Sequence, residues 1–325
     1  MAQLIKLQNY ISRYEQDPFH YPARYVRLKK GEWEKFRTRW EHHQSTGLIH
    51  TEPAEEENWL LEEPKQKHSL LRGLFSKKEK RVETEPGPSQ EDETLLWLNE
   101  SEFMYLQTEE DAKKAFIDKM FAFQVKWASS TLLHQSPLDH KYYVDEQLKC
   151  LVTRLPDTFL LLYQPVFRFQ KAVVELEIIL ITPLNVWCLT FLEEQDEAVF
   201  TGSSDRFWMK RFREKESKIL SPAVSLARTE TIVKKLLGHH GVDIPIRKAI
   251  LSRNGYIDDP AAPADIYYID KREFPHWFHE MRQLSSPLKT IQLKAAKTLL
   301  AHADSISLRR PEWEEEDTND FNPSV

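Results

Sequence analysis

The sequence predicts an α/β fold in which a central sheet is flanked by helices. Three stretches carry that prediction. "VELEIILITPLNVWCLTFLEE", Val174 to Glu194, reads as two buried strands joined by a tight turn. Before it, "EEDAKKAFIDKMFAFQVKWASSTL" sets Ala112, Phe116, Met120, Phe123 and Trp127 on one helical stripe. After it, "SPAVSLARTETIVKKLLGHHG" reads as a helix. Ser221 stands at its N-cap, Pro222 in its first turn, and Gly238 or Gly241 at its stop.

The other elements follow in chain order. Residues 1–50 are expected to form an N-terminal helical arm. In "GEWEKFRTRWEHH", Trp33, Phe36 and Trp40 fall on one face, and three large aromatics on a lone helix need a surface to dock on. Residues 51–94 alternate acidic, basic and Pro/Glu/Ser-rich runs. Such a stretch buries too little apolar surface to offset its ordering entropy, so a mobile linker is expected, most clearly over Glu62 to Glu93. Trp59, Leu60, Leu70, Leu71, Leu74 and Phe75 are its short sticky segments.

The main domain spans 95–310. Past the first stripe, "DHKYYVDEQLKCLVTRL" predicts one helix with Val144, Leu148, Leu151 and Leu155 inward. "TFLLLYQPVFRF" predicts a strand, so Phe159 to Phe167, Val174 to Ile181 and Val186 to Leu192 become neighbours in one sheet. "IPIRKAILSRNGYID" predicts a strand ending in an Asn-Gly turn. Two helices parted by Pro287 close the domain, and residues 311–325 form an acidic tail, expected to be disordered.

The net charge of −6 does not demand nucleic acid as a partner, although a local basic face can still serve. Two cysteines, Cys150 and Cys188, are too few for a disulfide framework or a thiolate zinc site, and read as buried thiols. The N-terminal stretch lacks the features of a signal peptide, and the longest apolar run, Ile178 to Leu192, is too short to span a bilayer. The expectation is a cytoplasmic protein with no membrane contact.

The order helix, strand, hairpin, helix, strand is the core of the restriction-endonuclease-like fold. The motifs are similar to those of the nuclease-related (NERD) domain. "VELEIILITPLNVWCLTFLE" resembles its central block, in which a G-E-I-D-H strand passes through a G-P-N-G turn into a strand ending E-T-K. "TGSSDRFW" resembles the segment that follows, "SPAVSLARTETIVKKLL" its N-P-x-x-Q-A helix, and "IPIRKAIL" its next strand. The resemblance runs from about Tyr142 to Asp258.

Carried across, it places Glu175 on the family's Glu and Glu177 on its metal-binding Asp. Asp145 or Glu146 falls on the acidic residue of the first helix. In this fold a carboxylate pair holds Mg²⁺, which polarises a phosphoryl oxygen and activates water, while a strand lysine stabilises developing charge. The family's strand Glu and Lys are two apart because i and i+2 share a face. Here those places hold Thr190 and Leu192, and the helix Gln falls on Ser225. Glu146, Glu175 and Glu177 remain metal candidates or, equally, solvated charges. By alternation Glu193 faces the other side. Lys149, Lys171, Lys210 and Lys234 are the candidates for a relocated lysine.

The leading reading is therefore a catalytically degenerate nuclease-related domain that binds or scaffolds, with no cofactor. The alternatives are a Mg²⁺-dependent nuclease with a rearranged site, and a protein-interaction module that uses the aromatic arm. "DRFWMKRFREKESK" offers Arg206, Lys210, Arg211 and Arg213, interleaved with aromatics, as a nucleic-acid contact, or simply as an amphipathic surface segment. His239 and His240 suit a helix C-terminus, and His276 and His279 form no H-E-x-x-H pattern. With eight glycines in the chain, a phosphate-binding glycine loop would be conspicuous, and none is present.

Overall fold

The computed structural model describes residues 1–47, 103–169, 172–194, 196–203, 206–259, 263–284 and 286–310. The expected linker and tail, with the sticky segments between Trp59 and Phe75, lie outside these residues.

The chain opens with β1 (Gln3–Leu7), followed by α1 (Arg13–Gln16) and α2 (Tyr21–Gly47). Next come α3 (Glu109–Trp127), β2 (His134–Gln135), α4 (Lys141–Val144) and α5 (Glu146–Arg154). Strands β3 (Leu160–Tyr163), β4 (Val166–Phe169), β5 (Ala172–Glu175), β6 (Ile178–Ile181) and β7 (Val186–Phe191) follow. Then come β8 (Val199–Thr201), β9 (Phe207–Phe212), β10 (Lys215–Leu220), α6 (Pro222–His239), β11 (Ile246–Leu251), β12 (Tyr256–Asp258) and β13 (Ile266–Ile269). The described chain ends with α7 (Phe274–Gln283), α8 (Thr290–Leu300) and β14 (Leu308–Arg309).

Six strands make the central sheet, in the order β1-β3-β6-β7-β11-β13. β6 is antiparallel to both β3 and β7, while β11 runs parallel to β7 and β13. Alternate residues build two cores. Leu160, Leu162, Ile179, Ile181, Val186, Cys188 and Ile250 join α2, α3, α6 and α8. Leu161, Tyr163, Ile178, Leu180, Trp187, Leu189 and Leu251 join α5, α7 and the opposite side of α3. Burial on both faces is why these strands read as continuous apolar runs instead of alternating ones.

Several elements differ from the sequence reading, β1 among them, which lies in a stretch expected to be helical. The helix expected across Val144 breaks at Asp145. The Asp145 carboxylate accepts from the backbone N–H groups of Gln147 and Leu148, both at 2.9 Å, and so starts α5 as its N-cap. Val144 is left 66% exposed. The strand expected from Phe159 to Phe167 divides at Gln164 (φ 47°) and Pro165, which has no N–H to offer a ladder. Its second half, β4, pairs with β5 as a separate two-stranded ribbon, so Val174 to Ile181 divides as well. The basic segment from Arg206 onward, read from the sequence only as a surface stretch, forms the β9–β10 hairpin, the outer part of a second sheet ordered β10-β9-β8-β12.

The first 47 residues are built into the fold. β1 is an edge strand parallel to β3. Phe36 is 1% exposed, and Trp33 and Trp40 pack partly buried against the same core. The Trp40 indole N–H donates to the Leu106 carbonyl at 2.8 Å. At the far end of α6, Gly241 holds φ +65° and ends the helix as a left-handed residue. At Gly255 the requirement is space: a Cβ there would meet the Ala198 carbonyl at 2.7 Å. Both cysteines are free and buried, and burial pushes both thiols up.

Asp270, just past β13, supplies an acid-sensitive lock. Burial opposes its charge, but hydrogen bonds from the Arg272 side chain, the Arg272 N–H and the Ile257 N–H outweigh it and hold its pKa low. A carboxylate depressed in the native state stabilises above its unfolded pKa of about 3.9 and loses that contribution as pH falls through the native value. Asp270→Asn is therefore expected to lower the urea midpoint at pH 7. The gap to wild type should persist to pH 5 and close below about pH 4. A constant gap down to pH 2 would contradict this account.

Candidate functional site

The C-terminal ends of β3, β7 and β11 and the start of β6 meet at one end of the central sheet, where the resemblance puts the chemistry. The α5 side of this end is an ionic network. Asp145 is anchored as the α5 cap, and its second oxygen accepts from the Tyr163 hydroxyl at 2.7 Å. Burial, with Asp145 beside it, pushes the Tyr163 hydroxyl well above the ordinary tyrosine range. Glu193, just past β7, has a 9% exposed side chain and a forked partner in Arg253, just past β11. Arg253 Nη2 donates to Glu193 Oε2 at 2.6 Å, and Arg253 Nε and backbone N–H donate to Oε1. Gln147 of α5 adds a donation to Oε2 at 3.3 Å. The hydrogen bonds that Arg253 donates to Glu193 keep the guanidinium above its ordinary range. Glu146 lies at the rim, 86% exposed and 4.0 Å from Arg253.

The α6 side is different. Cys188, Thr190 and Leu192 fall on this face, with Thr190 opposite Ile250 in register and 7% exposed. The Glu177 N–H donates to Thr229 Oγ1 of α6 at 3.0 Å, and that hydroxyl donates to the Ser225 carbonyl. The Ser225 hydroxyl turns back onto the Pro222 carbonyl at 3.0 Å. The face expected to present a carboxylate and a lysine presents a buried threonine and a leucine.

The expected acidic candidates are thus divided. Glu177 is tied to α6 through its N–H and Thr229, whereas Glu175 lies on the separate β4–β5 ribbon. Glu175 belongs to β5 and is exposed. Alternation does not carry from one to the other because the strand breaks at Leu176, whose N–H bonds the Pro165 carbonyl. Among the described residues no cluster of three or more His, Cys, Asp or Glu is arranged to hold a metal ion. Both Glu193 oxygens are engaged by Arg253. Of the lysines considered for relocation, Lys149 pairs with Asp118 and Lys210 with Glu194, Lys234 sits exposed on α6, and Lys171 lies outside the described residues. Among the described residues, Arg253 is the cation bonded to Glu193. Its position directly after a strand of the motif is the signal that sequence reasoning passed over.

In the basic hairpin, Arg211 is exposed on β9 and stands opposite Glu216. Arg213 caps the hairpin turn with its guanidinium over the Phe212 ring, and Arg206 stands just before β9. Trp208 is buried and stacks on Tyr268, while Phe207 is 52% exposed. A third group pairs His240, read from the sequence as a helix-end residue, with His302, which was not singled out. The His240 and His302 rings lie 5.2 Å apart, at the ends of α6 and α8. Each holds Nδ1 near a helix carbonyl four residues back, at 2.9 and 2.8 Å, which leaves each Nε2 available.

No model of a known protein family matches the chain, and no solved structure matches it. A curated protein of Geobacillus stearothermophilus, named RNA 2',3'-cyclic phosphodiesterase, is 33% identical over 106 residues. Those residues are 33% of this chain and 34% of that protein, so the chain spans about a third of its relative's length.

Proposed function

We propose that this chain is a catalytically degenerate nuclease-related domain on a restriction-endonuclease-like core, used for binding or scaffolding. One observation carries the reading: Thr190 and Leu192 occupy the face where a carboxylate and a lysine are needed, and nearby Glu193 is committed to Arg253. The connectivity supports it, since α5, β3, the antiparallel pair β6 and β7, α6 and parallel β11 follow the order the resemblance implies. Arg206, Arg211 and Arg213 are the cations this reading offers to a nucleic acid, because Lys210 is already paired. A partner reading through the aromatic arm lacks support, because Phe36 is buried and Trp33 and Trp40 pack on the chain's own core.

The purified protein is expected not to cleave DNA or RNA with Mg²⁺ or Mn²⁺ above a Glu175→Ala/Glu177→Ala control. Robust cleavage abolished by Glu177→Ala overturns the proposal in favour of a rearranged nuclease. Thr190→Glu with Leu192→Lys tests the converse, since both new groups would stand on the side of Glu177.

A second reading takes support from the Geobacillus relative and from the His240–His302 pair. Two imidazoles with open Nε2 atoms can serve as base and acid when water adds to a 2',3'-cyclic phosphate and one P–O bond opens. An RNA oligonucleotide ending in that group belongs in the same assay. Ring opening lost in His240→Ala and His302→Ala, but kept in the glutamate variants, would select this reading over the first.

A further inference from the structure

A cavity of about 800 Å³ opens between α2, α3 and the loop that joins α5 to β3. It lies beyond Arg154, at the other end of α5 from Asp145. Nine residues at 1.5 Å each put it roughly 13 Å from the network described above. Its size falls in the range of small-molecule sites.

The walls combine two chemistries. Val26, Trp33, Ile117 and Leu284 make an apolar surface. Phe36 stacks on Trp33 with centroids 6.0 Å apart, and Phe116 lies 5.2 Å away, so the indole is held in place. Against this surface stand five cations, Lys29, Lys30, Lys113, Arg154 and Arg282, and one carboxylate, Asp157. Lys29 engages Asp157, and Lys113 turns to Glu109 at 2.8 Å. Lys30, Arg154 and Arg282 come from three different helices or helix ends and form no ion pair among the described residues. Thr158 also lines the cavity, although its own hydroxyl is buried away from it.

Three uncompensated cations converging on an apolar wall favour a ligand with concentrated negative charge on a hydrophobic body. A carboxylate brings a single charge. A phosphomonoester brings close to two, with several acceptor oxygens that suit guanidinium forks. An ordered indole in the wall favours a flat ring over a flexible chain, because every aromatic base can stack on it. We propose that this cleft binds a phosphomonoester carried on a flat aromatic body, the chemistry of a nucleoside monophosphate. Lys30, Arg154 and Arg282 hold the phosphate, and Trp33 faces the ring. The site does not depend on how the far end of the sheet is read.

Calorimetric titration of the full chain tests this with adenosine 5'-monophosphate, uridine 5'-monophosphate, adenosine, inorganic phosphate and dodecyl phosphate. At least one monophosphate is expected to bind about tenfold or more tightly than adenosine or inorganic phosphate alone. Arg154→Ala with Arg282→Ala should weaken that binding by about thirtyfold or more, with an unchanged thermal midpoint because both side chains are exposed. Lys30→Gln, on a separate helix, gives a second reading if the double variant misfolds, with a loss of about fivefold. Absence of monophosphate binding at millimolar concentration, binding unchanged in these variants, or preference for dodecyl phosphate would each overturn the proposal.

Discussion

Arg253→Met is expected to destabilise the protein by on the order of 3 kcal/mol, while Arg253→Met combined with Glu193→Leu costs far less than that. The single change leaves the 9% exposed Glu193 carboxylate facing a methyl thioether. Gln147, at 3.3 Å, is then its remaining side-chain donor. A charge held away from water without its partner loses more than the pair contributed, because its desolvation is no longer offset. Removing both charges removes that penalty, and Leu and Met fill a similar volume beside Phe191, over which the guanidinium lies at 5.8 Å. Urea unfolding of the two single variants and the double gives the coupling energy directly. Equal losses in Arg253→Met and the double variant would mean that the pair is not the reason Glu193 tolerates its site. The same series bears on function. If the double variant folds and keeps whatever ligand binding the wild type shows, the pair is architectural, as a degenerate site requires.

How much of this site was legible in the sequence depends on the residue. The alternation that puts Thr190 and Leu192 on one face and Glu193 on the other was legible, because period two is a property of any extended strand and β7 has no bulge in its register. The separation of Glu175 from Glu177 was not. It comes from Gln164 and Pro165, ten or more residues away, which break β3 and oblige the partner strand to break with it. Arg253 is four residues past Ala249 and looks like an ordinary polar residue before a turn. Only the parallel pairing of β11 with β7 brings it to Glu193. β1 escaped for another reason. In "QLIKL" a buried Gln3 and a buried Lys6 interrupt the apolar pattern, yet both are satisfied by the fold. Gln3 donates to the Asp157 carbonyl at 2.7 Å, and the Lys6 ammonium is held by Glu15, the Tyr10 carbonyl and Ser305. Asp157 and Ser305 lie far along the chain, and although Tyr10 and Glu15 are near, no periodic pattern announces any of the four. By contrast, the stripe through Ala112, Phe116, Met120, Phe123 and Trp127 was legible because a helix buries one face whatever covers it. What covers it was not, and that determines how firmly the first 47 residues are held.

Trp127→Ala is expected to cost about 3–5 kcal/mol and to loosen α1 and α2 from the rest of the molecule. The indole is 1% exposed and stands at the end of α3, where those segments meet the core. Tyr14 of α1 and Tyr21 and Tyr25 of α2 lie edge-on to it, with centroids 6.2, 5.8 and 6.4 Å away, and Phe123 lies at 4.8 Å. The Arg13 guanidinium sits 5.1 Å over the ring. Truncation removes the apolar transfer term and also leaves a cavity that four surrounding rings, each fixed by its own packing, cannot readily fill. Trp127→Phe separates shape from polarity. The indole N–H is buried without a hydrogen-bond partner, so its removal loses no bond, and the smaller ring should cost only about 1–2 kcal/mol. Hydrogen exchange locates the effect. In Trp127→Ala, amides of α2 up to Trp40 should exchange faster than in wild type, while those of β7 and β11 at the sheet centre change only with global stability. If α2 keeps wild-type protection in a variant that has lost several kcal/mol, then its hold lies elsewhere, in the contacts of Trp33, Phe36 and Trp40 with α3 and Leu106, and the tyrosines are packing without anchoring.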